Sequence, residues 1–154
     1  MRIIGIDPGT ATTGFSIIEV VNKKLNLLDY GYIQTHKGLK NYDRLNQIAI
    51  DLKSILKKWH PQKAGVEKLF FNKNIKTAIS VAEARGVVTQ LLASEGIEIH
   101  EFGPSEIKST VCGNGRADKK AVQKMVKAIM RLKNAPKPDD VADAIAVAIC
   151  GSQC

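Results

Sequence analysis

The sequence lacks the features of a membrane or exported protein. It has no apolar run of the roughly 18 residues that a membrane span requires and no signal-peptide pattern. Its three cysteines, Cys112, Cys150 and Cys154, are odd in number and do not have the paired spacing of a zinc site. The three histidines are scattered along the chain. We therefore predict a cytoplasmic protein whose thiols are reduced.

Internal repeats, low-complexity stretches and linkers are also missing. A chain of 154 residues, of which 44% are hydrophobic and 25% charged, can form one ordinary globular core. We predict a single domain over residues 1–154.

Acidic residues are scarce in one part of the chain. The formal net charge is +8, and the segment 104–137 alone holds nine lysines and arginines against two acids. This concentration favours a polyanionic partner, nucleic acid before a membrane surface. The total charge taken alone would also fit simple solubility.

Hydrophobic periodicity predicts alternating strands and helices. Short polar connections join the first three strands, which predicts an antiparallel meander. Two later strands follow helical crossovers, so the expected class is α/β with a mixed five-stranded sheet flanked by helices. The predicted strands cover 2–7, 14–21, 25–35, 63–70 and 97–102, and the predicted helices cover 42–59, 74–95, 104–111, 118–132 and 139–150.

The last predicted helix carries two carboxylates in an otherwise apolar sequence. Asp139 can cap this helix, and Asp140 in its first turn is favoured by the helix dipole. Asp143 has no such explanation, and it lies on the same face as Asp140. Burying two unpaired anions costs several kcal/mol, and no lysine or arginine follows Pro138. We therefore predict a bound metal cation.

Two further acids end predicted strands, Asp7 before Pro8-Gly9 and Glu67 in KAGVEKLF. If the last helix crosses that end of the sheet, these acids meet Asp140 and Asp143. Four carboxylates can hold two divalent ions for attack on a phosphodiester, and hard oxygen ligands favour Mg²⁺, with Mn²⁺ as a substitute.

Each acid also has an ordinary interpretation. An aspartate before Pro-Gly is often only a turn residue, and a strand-end glutamate is commonly solvated. An aspartate pair at a helix start often serves as a cap. These interpretations together still leave Asp143 unexplained.

Five segments are similar to a known family: GIDPGTATTGFSII, VEKLFFNKN, EARGV, GNGRADKKAVQKMV and DDVADAIAVAI. In this order and spacing they closely resemble the bacterial RuvC family of Holliday junction resolvases. The resemblance implies an RNase H-like fold and a homodimeric, Mg²⁺-dependent endonuclease of recombination and repair. Such an enzyme nicks two strands of a four-way junction symmetrically and acts with the RuvA–RuvB branch-migration complex. The implied catalytic and metal-binding acids are Asp7, Glu67, Asp140 and Asp143.

A basic stripe on the predicted helix 118–132 independently suggests a DNA surface. It consists of Lys120, Lys124, Lys127 and Arg131, with Val122, Met125, Val126 and Ile129 facing inward. By resemblance, Lys108 and Lys119 lie near the cleaved backbone, and Phe70 meets an unpaired base. For Phe71 core packing is about as good an explanation. The helix 74–95 resembles the family's dimer-forming helix, although an ordinary buried helix would have the same sequence. The predicted DNA-binding residues are Phe70, Lys73, Lys76, Lys108, Arg116, Lys119, Lys120 and Lys124.

Three other functions fit parts of the sequence. GIDPGT also resembles the phosphate-binding hairpin of actin-like and sugar-kinase-like ATPases, but this chain lacks their second domain and second glycine-rich loop. A related nuclease acting on ribosomal RNA precursors fits the DDVAD and FFNKN segments poorly. A non-catalytic DNA-binding module would leave the four acids unexplained.

Overall fold

The computed structural model describes residues 1–70 and 75–154. Within these residues lie five strands and five helices, so every predicted element is present. No helix in these ranges is long and apolar enough to cross a membrane. In chain order the elements are β1 (Arg2–Asp7), β2 (Thr12–Val21), β3 (Lys24–Gln34), α1 (Asn41–Trp59), β4 (Lys63–Glu67), α2 (Ile75–Ser94), β5 (Glu98–Phe102), α3 (Pro104–Cys112), α4 (Lys119–Ile129) and α5 (Asp139–Gly151).

The strands form one mixed sheet in the order β3-β2-β1-β4-β5. β1 pairs antiparallel with β2, and β2 with β3, because short turns join them. β4 pairs parallel with β1, and β5 with β4, since α1 and α2 carry the chain back across the sheet. The predicted mixed sheet is confirmed, and β1 lies at its centre.

Helices cover both faces of the sheet. α1 and α2 pack on one face around a core that includes Ile4, Leu52 and Leu92. α3, α4 and α5 enclose a second core, which includes Val126 and Ile145. The sheet therefore separates two apolar layers, as in other α/β folds.

Two glycines let α5 lie directly against the sheet. A Cβ added at Gly5 of β1 would stand 2.5 Å from the backbone nitrogen of Ala148. One added at Gly65 of β4 would stand 2.7 Å from the carbonyl oxygen of Val147. Real Cβ atoms do not come this close to other atoms. From Ala144 onward every residue of α5 is buried, which confirms the prediction of a helix packed on all sides.

Two predicted boundaries are wrong. β4 ends at Glu67 instead of residue 70, because its partner β5 ends at Phe102, opposite Glu67. α4 ends at Ile129 instead of residue 132, and Arg131 adopts a left-handed backbone conformation with φ 53°. Arg131 therefore lies outside the helix that carries the basic stripe.

Two predicted side-chain roles on the second face are also wrong. Met125 is 38% exposed, because Val122 and Val126 form the buried side of α4. Asp139 is not the N-cap of α5, since Pro138 occupies that position. The Asp139 carboxylate instead accepts a hydrogen bond from Gln123 Nε2 at 2.8 Å.

Candidate active site

Asp7 and Glu67 stand side by side at the same edge of the sheet. β1 and β4 are parallel neighbours, and their last paired residues are Ile6 and Val66. The next residue of each strand is one of the two acids, so their carboxyls meet and share a hydrogen bond. Pro8 follows Asp7 and cannot donate to the ladder, which favours ending the strand there.

The first turn of α5 brings the other two acids to this edge. Gly14 of β2 pairs with Asp7, and a Cβ added at Gly14 would stand 2.5 Å from the carbonyl carbon of Asp140. Asp140 therefore lies over the β1–β2 pair, beside Asp7. Asp143 follows three residues later on the same side of the helix. The four acids come from three elements that meet only in the folded chain.

The four carboxylates perturb one another. Burial raises the pKa of Asp7 well above its ordinary value, and the charges of the three other acids raise it further. Burial is also the main cause of the raised pKa of Glu67 and of Asp143. None of the ion pairs among residues 1–70 and 75–154 involves Asp7, Glu67 or Asp140. Clustered carboxylates with raised pKa values in a cleft are typical of active sites.

The acids line two adjoining cavities. One, of about 380 Å³, is lined by Asp7, Glu67 and Asp140 together with Phe70. The other, of about 270 Å³, is lined by Glu67 and Asp143. Glu67 and Pro104 line both cavities, so they form one composite cleft.

The acids fit hard divalent cations by the chemistry of their donors. They offer carboxylate oxygens, which Mg²⁺ and Mn²⁺ prefer, and neither cavity is lined by a thiol or an imidazole. In the described residues, no three acidic, histidine or cysteine side chains are close enough to hold an ion as they stand. Because mutual repulsion holds such carboxylates apart, a cation would have to draw them together.

Lys119 partly contradicts the expectation that no basic side chain faces these acids. Its Nζ lies 3.7 Å from Asp143 Oδ2 and 3.2 Å from Asp139 Oδ2. Partial burial lowers the pKa of Lys119, but the charges of these aspartates outweigh it and leave the pKa raised. The sequence argument considered only cations within the last segment, and α4 supplies this one from the side.

Several predicted DNA-binding residues adjoin the cleft. Phe70 is 54% exposed and lines the cavity of Asp7, so its ring is available to a base. Lys108 and Lys119 line the cavity of Asp143. Lys76 lines a further cleft that reaches Asp140.

The other predicted DNA-binding residues lie farther along the chain from the acids. Lys120 and Lys124 are exposed on α4, and Arg116 is exposed in the loop before it. Lys73 and Phe71 lie outside the described residues, so their predicted roles have no structural counterpart here.

Arg85 was missed by sequence reasoning. This arginine of α2 lines the cavity of Asp7, donates from Nε to the Glu67 carbonyl at 3.4 Å, and forms an ion pair with Glu101. It thereby ties α2 to the ends of β4 and β5. The available signal was a single arginine among small residues in AEARGVV, a segment otherwise suited to helix packing.

Comparison with known proteins agrees with this site. Residues 3–151 match the family model of crossover junction endodeoxyribonuclease RuvC. The chain belongs to the RuvC family. A crossover junction endodeoxyribonuclease RuvC of Halothermothrix orenii is 48% identical over 150 residues, covering 97% of this chain and 91% of that relative.

Solved structures of the RuvC family have the same fold. Thermus thermophilus RuvC matches with a TM-score of 0.89 at 32% identity, over 97% of this chain and 92% of that one. The T. thermophilus RuvC in complex with Holliday junction substrate matches with a TM-score of 0.90 at 31% identity, over 97% and 91%. The predicted RNase H-like fold is thus confirmed, in a family of metal-dependent nucleases.

Proposed function

We propose that this protein is a DNA endonuclease that resolves four-way junctions by paired symmetric nicks in recombination and repair. The observation that carries the proposal is the meeting of Asp7, Glu67, Asp140 and Asp143 at one edge of the sheet. Membership of the RuvC family supports it, as does the solved complex of T. thermophilus RuvC with Holliday junction substrate. The reaction is hydrolysis of one phosphodiester in each nicked strand.

The four acids would hold two Mg²⁺ ions, or Mn²⁺ in their stead. Ions bound there supply activation of the attacking water and stabilisation of the charge on the leaving oxygen. The chain's own contribution is to fix the carboxylates. Asp7 and Glu67 are held by paired strands, and Asp140 and Asp143 by a helix wedged against the sheet.

Two lysines complement the phosphate. Lys119 and Lys108 line the same cavity as Asp143, and both charges act on Glu67. A phosphate that enters this cavity brings negative charge toward carboxylates, and the two ammonium groups reduce that repulsion. Lys119 is also held between Asp139 and Asp143, so it needs little reorganisation when the phosphate arrives.

The surfaces around the cleft suit a junction. Phe70 is exposed beside the acids and can stack on an unpaired base, which is worth about 1–3 kcal/mol. Lys120, Lys124 and Lys127 are exposed on α4 and carry the tracking of the backbone phosphates.

We propose a homodimer, because paired nicks in two strands need two active sites. The support is an uncovered face of α2, on which Ile75 is 77% and Ile79 is 55% exposed. Ile79→Glu should therefore yield a monomer in sedimentation velocity. Ile50→Glu is the matched control, since Ile50 on α1 is 52% exposed outside this face. A dimer that survives Ile79→Glu would exclude α2 as the interface.

The remaining assignments follow from the family and the fold. Residues 1–154 are taken as one nuclease domain, since two cores share a single sheet and the family match spans residues 3–151. Cooperation with the RuvA–RuvB complex and a cytoplasmic location stay predictions.

The test uses a synthetic four-way junction and a linear duplex of matched sequence, each with and without Mg²⁺. We expect Mg²⁺-dependent paired nicks in the junction only. Asp7→Asn should abolish nicking by roughly 10³-fold or more while junction binding survives, since the basic contacts lie elsewhere. Mg²⁺-dependent nicking by Asp7→Asn at the wild-type rate would refute the assignment.

A further inference from the structure

A second cleft leaves the active site on the side of α1. One cavity of about 500 Å³ is lined by Gly9, Thr10, Thr12 and Arg44 and reaches Asp140. An adjoining cavity of about 510 Å³ shares Thr12 and Arg44 and continues to Lys37. Apart from Asp140, no acid lines either cavity, so the cleft becomes basic as it leaves the carboxylates.

Arg44 is the central charge of this second cleft. It is half-buried, and none of the ion pairs among residues 1–70 and 75–154 includes it. It also lies in the first turn of α1, where the helix dipole disfavours a cation. Neither pairing nor the helix explains this arginine, so its position favours an anion from outside the chain.

The guanidinium of Arg44 is oriented before any ligand arrives. Its Nε donates to Thr35 Oγ1 at 2.8 Å, and the buried Thr35 hydroxyl donates to the Thr10 carbonyl at 2.5 Å. The hydroxyl of Thr10 is fixed in turn against Ser80 of α2 at 2.5 Å. The loop after Asp7 is thus braced from two sides, and the terminal N–H groups of Arg44 remain for a planar fork of donors.

We propose that Arg44 and the Thr12 hydroxyl bind a backbone phosphate of the substrate strand, next to the phosphate that is cut. The inference rests on the proposed function and adds to it a second point at which the same strand is held. Two fixed phosphates on one strand set its position along the cleft, so Arg44 helps to position the bond to be cut.

The test measures junction affinity over a range of salt concentrations, in EDTA so that no cleavage occurs. Arg44→Met should weaken binding roughly 10-fold at 0.1 M salt and lower the salt slope by about 0.9 per phosphate lost. Lys53→Met removes one exposed charge from the same helix and should change neither value appreciably. Arg44→Met that behaves like Lys53→Met would overturn the proposal.

A chemical change in the DNA identifies the phosphate. Single methylphosphonates, which are neutral, are introduced on either side of the cut position. One of them should weaken wild-type binding about as much as Arg44→Met does, and have no added effect in that variant. Fully additive losses at every position would overturn the proposal.

Two controls separate this inference from others. If Arg44→Met fails to fold in a thermal scan, Arg44→Lys replaces it. It should weaken binding of the natural junction but not of the methylphosphonate junction, and equal losses would contradict the proposal. A wild-type protein that neither binds nor cuts junctions would refute the proposed function itself, whereas normal cutting with an inert Arg44 would refute only this inference.

Discussion

Replacing Gly14 with alanine should disable the active site without unfolding the protein. Gly14 pairs with Asp7 in the centre of the sheet, and the first turn of α5 rests on it. The added Cβ would stand 2.5 Å from the carbonyl carbon of Asp140, whereas ordinary contact begins at 3.4 Å. The start of α5 must therefore retreat by about 1 Å, and Asp140 moves away from Asp7 with it.

The size of the effect follows from that displacement. Misplacing a catalytic group by about 1 Å can cost roughly 10²-fold in rate. Overpacking of this kind costs about 1–3 kcal/mol of stability, and exchanging glycine for alanine in a strand offsets about 0.5–1 kcal/mol of it. We expect a folded variant whose single-turnover rate falls roughly 10²-fold.

The assay is single-turnover cleavage of a four-way junction by saturating protein, with junction affinity and urea unfolding measured in parallel. Gly31→Ala is the control, because its Cβ would meet only the Phe15 ring, at 3.1 Å, and a ring can shift. A folded Gly14→Ala variant that cuts as fast as Gly31→Ala would refute the reasoning that α5 must touch β2 to deliver Asp140.

Three further perturbations test the surroundings of the acids. Lys119→Ala should lower the single-turnover rate roughly 10²-fold and affinity far less; a loss of affinity alone would make Lys119 only a DNA contact. Phe70→Ala should leave urea unfolding within about 0.5 kcal/mol but weaken junction binding by about 1–3 kcal/mol; lost stability with normal binding would make Phe70 a packing residue. In EDTA, the raised pKa of Asp7 means that its contribution to stability is full below about pH 4 and is lost as pH rises through the folded-state pKa. Asp7→Asn should therefore be more stable than wild type at pH 7.5 but not at pH 4, and the opposite trend in urea unfolding would contradict the burial argument.

Much of the fold and all four acids could be predicted from the sequence. Period-two and period-3.6 patterns are local, so they locate strands and helices and also reveal Asp143 as a charge on an apolar helix. Asp7 and Glu67 follow because strand ends of neighbouring parallel strands share an edge.

Other features depend on contacts between distant elements, which no local pattern contains. Lys119 meets Asp143 only because α4 packs beside α5. Arg85 and Arg44 reach the edges of the cleft from α2 and α1, and in sequence they are ordinary helix residues. The end of β4 at Glu67 was missed because β5 ends at Phe102, and the apolar residues that follow Glu67 disguise that stop.

Binding of Mn²⁺ to the metal-free protein tests the central claim most directly. Isothermal titration and thermal unfolding would follow Mn²⁺ added to wild type, Asp7→Asn and Asp140→Asn at neutral pH. We expect saturable binding that raises the unfolding temperature of wild type, because a ligand that binds only the folded state stabilises it. Both variants should lose most of this response. Equal binding by all three proteins, or no binding by wild type at millimolar Mn²⁺, would contradict the account.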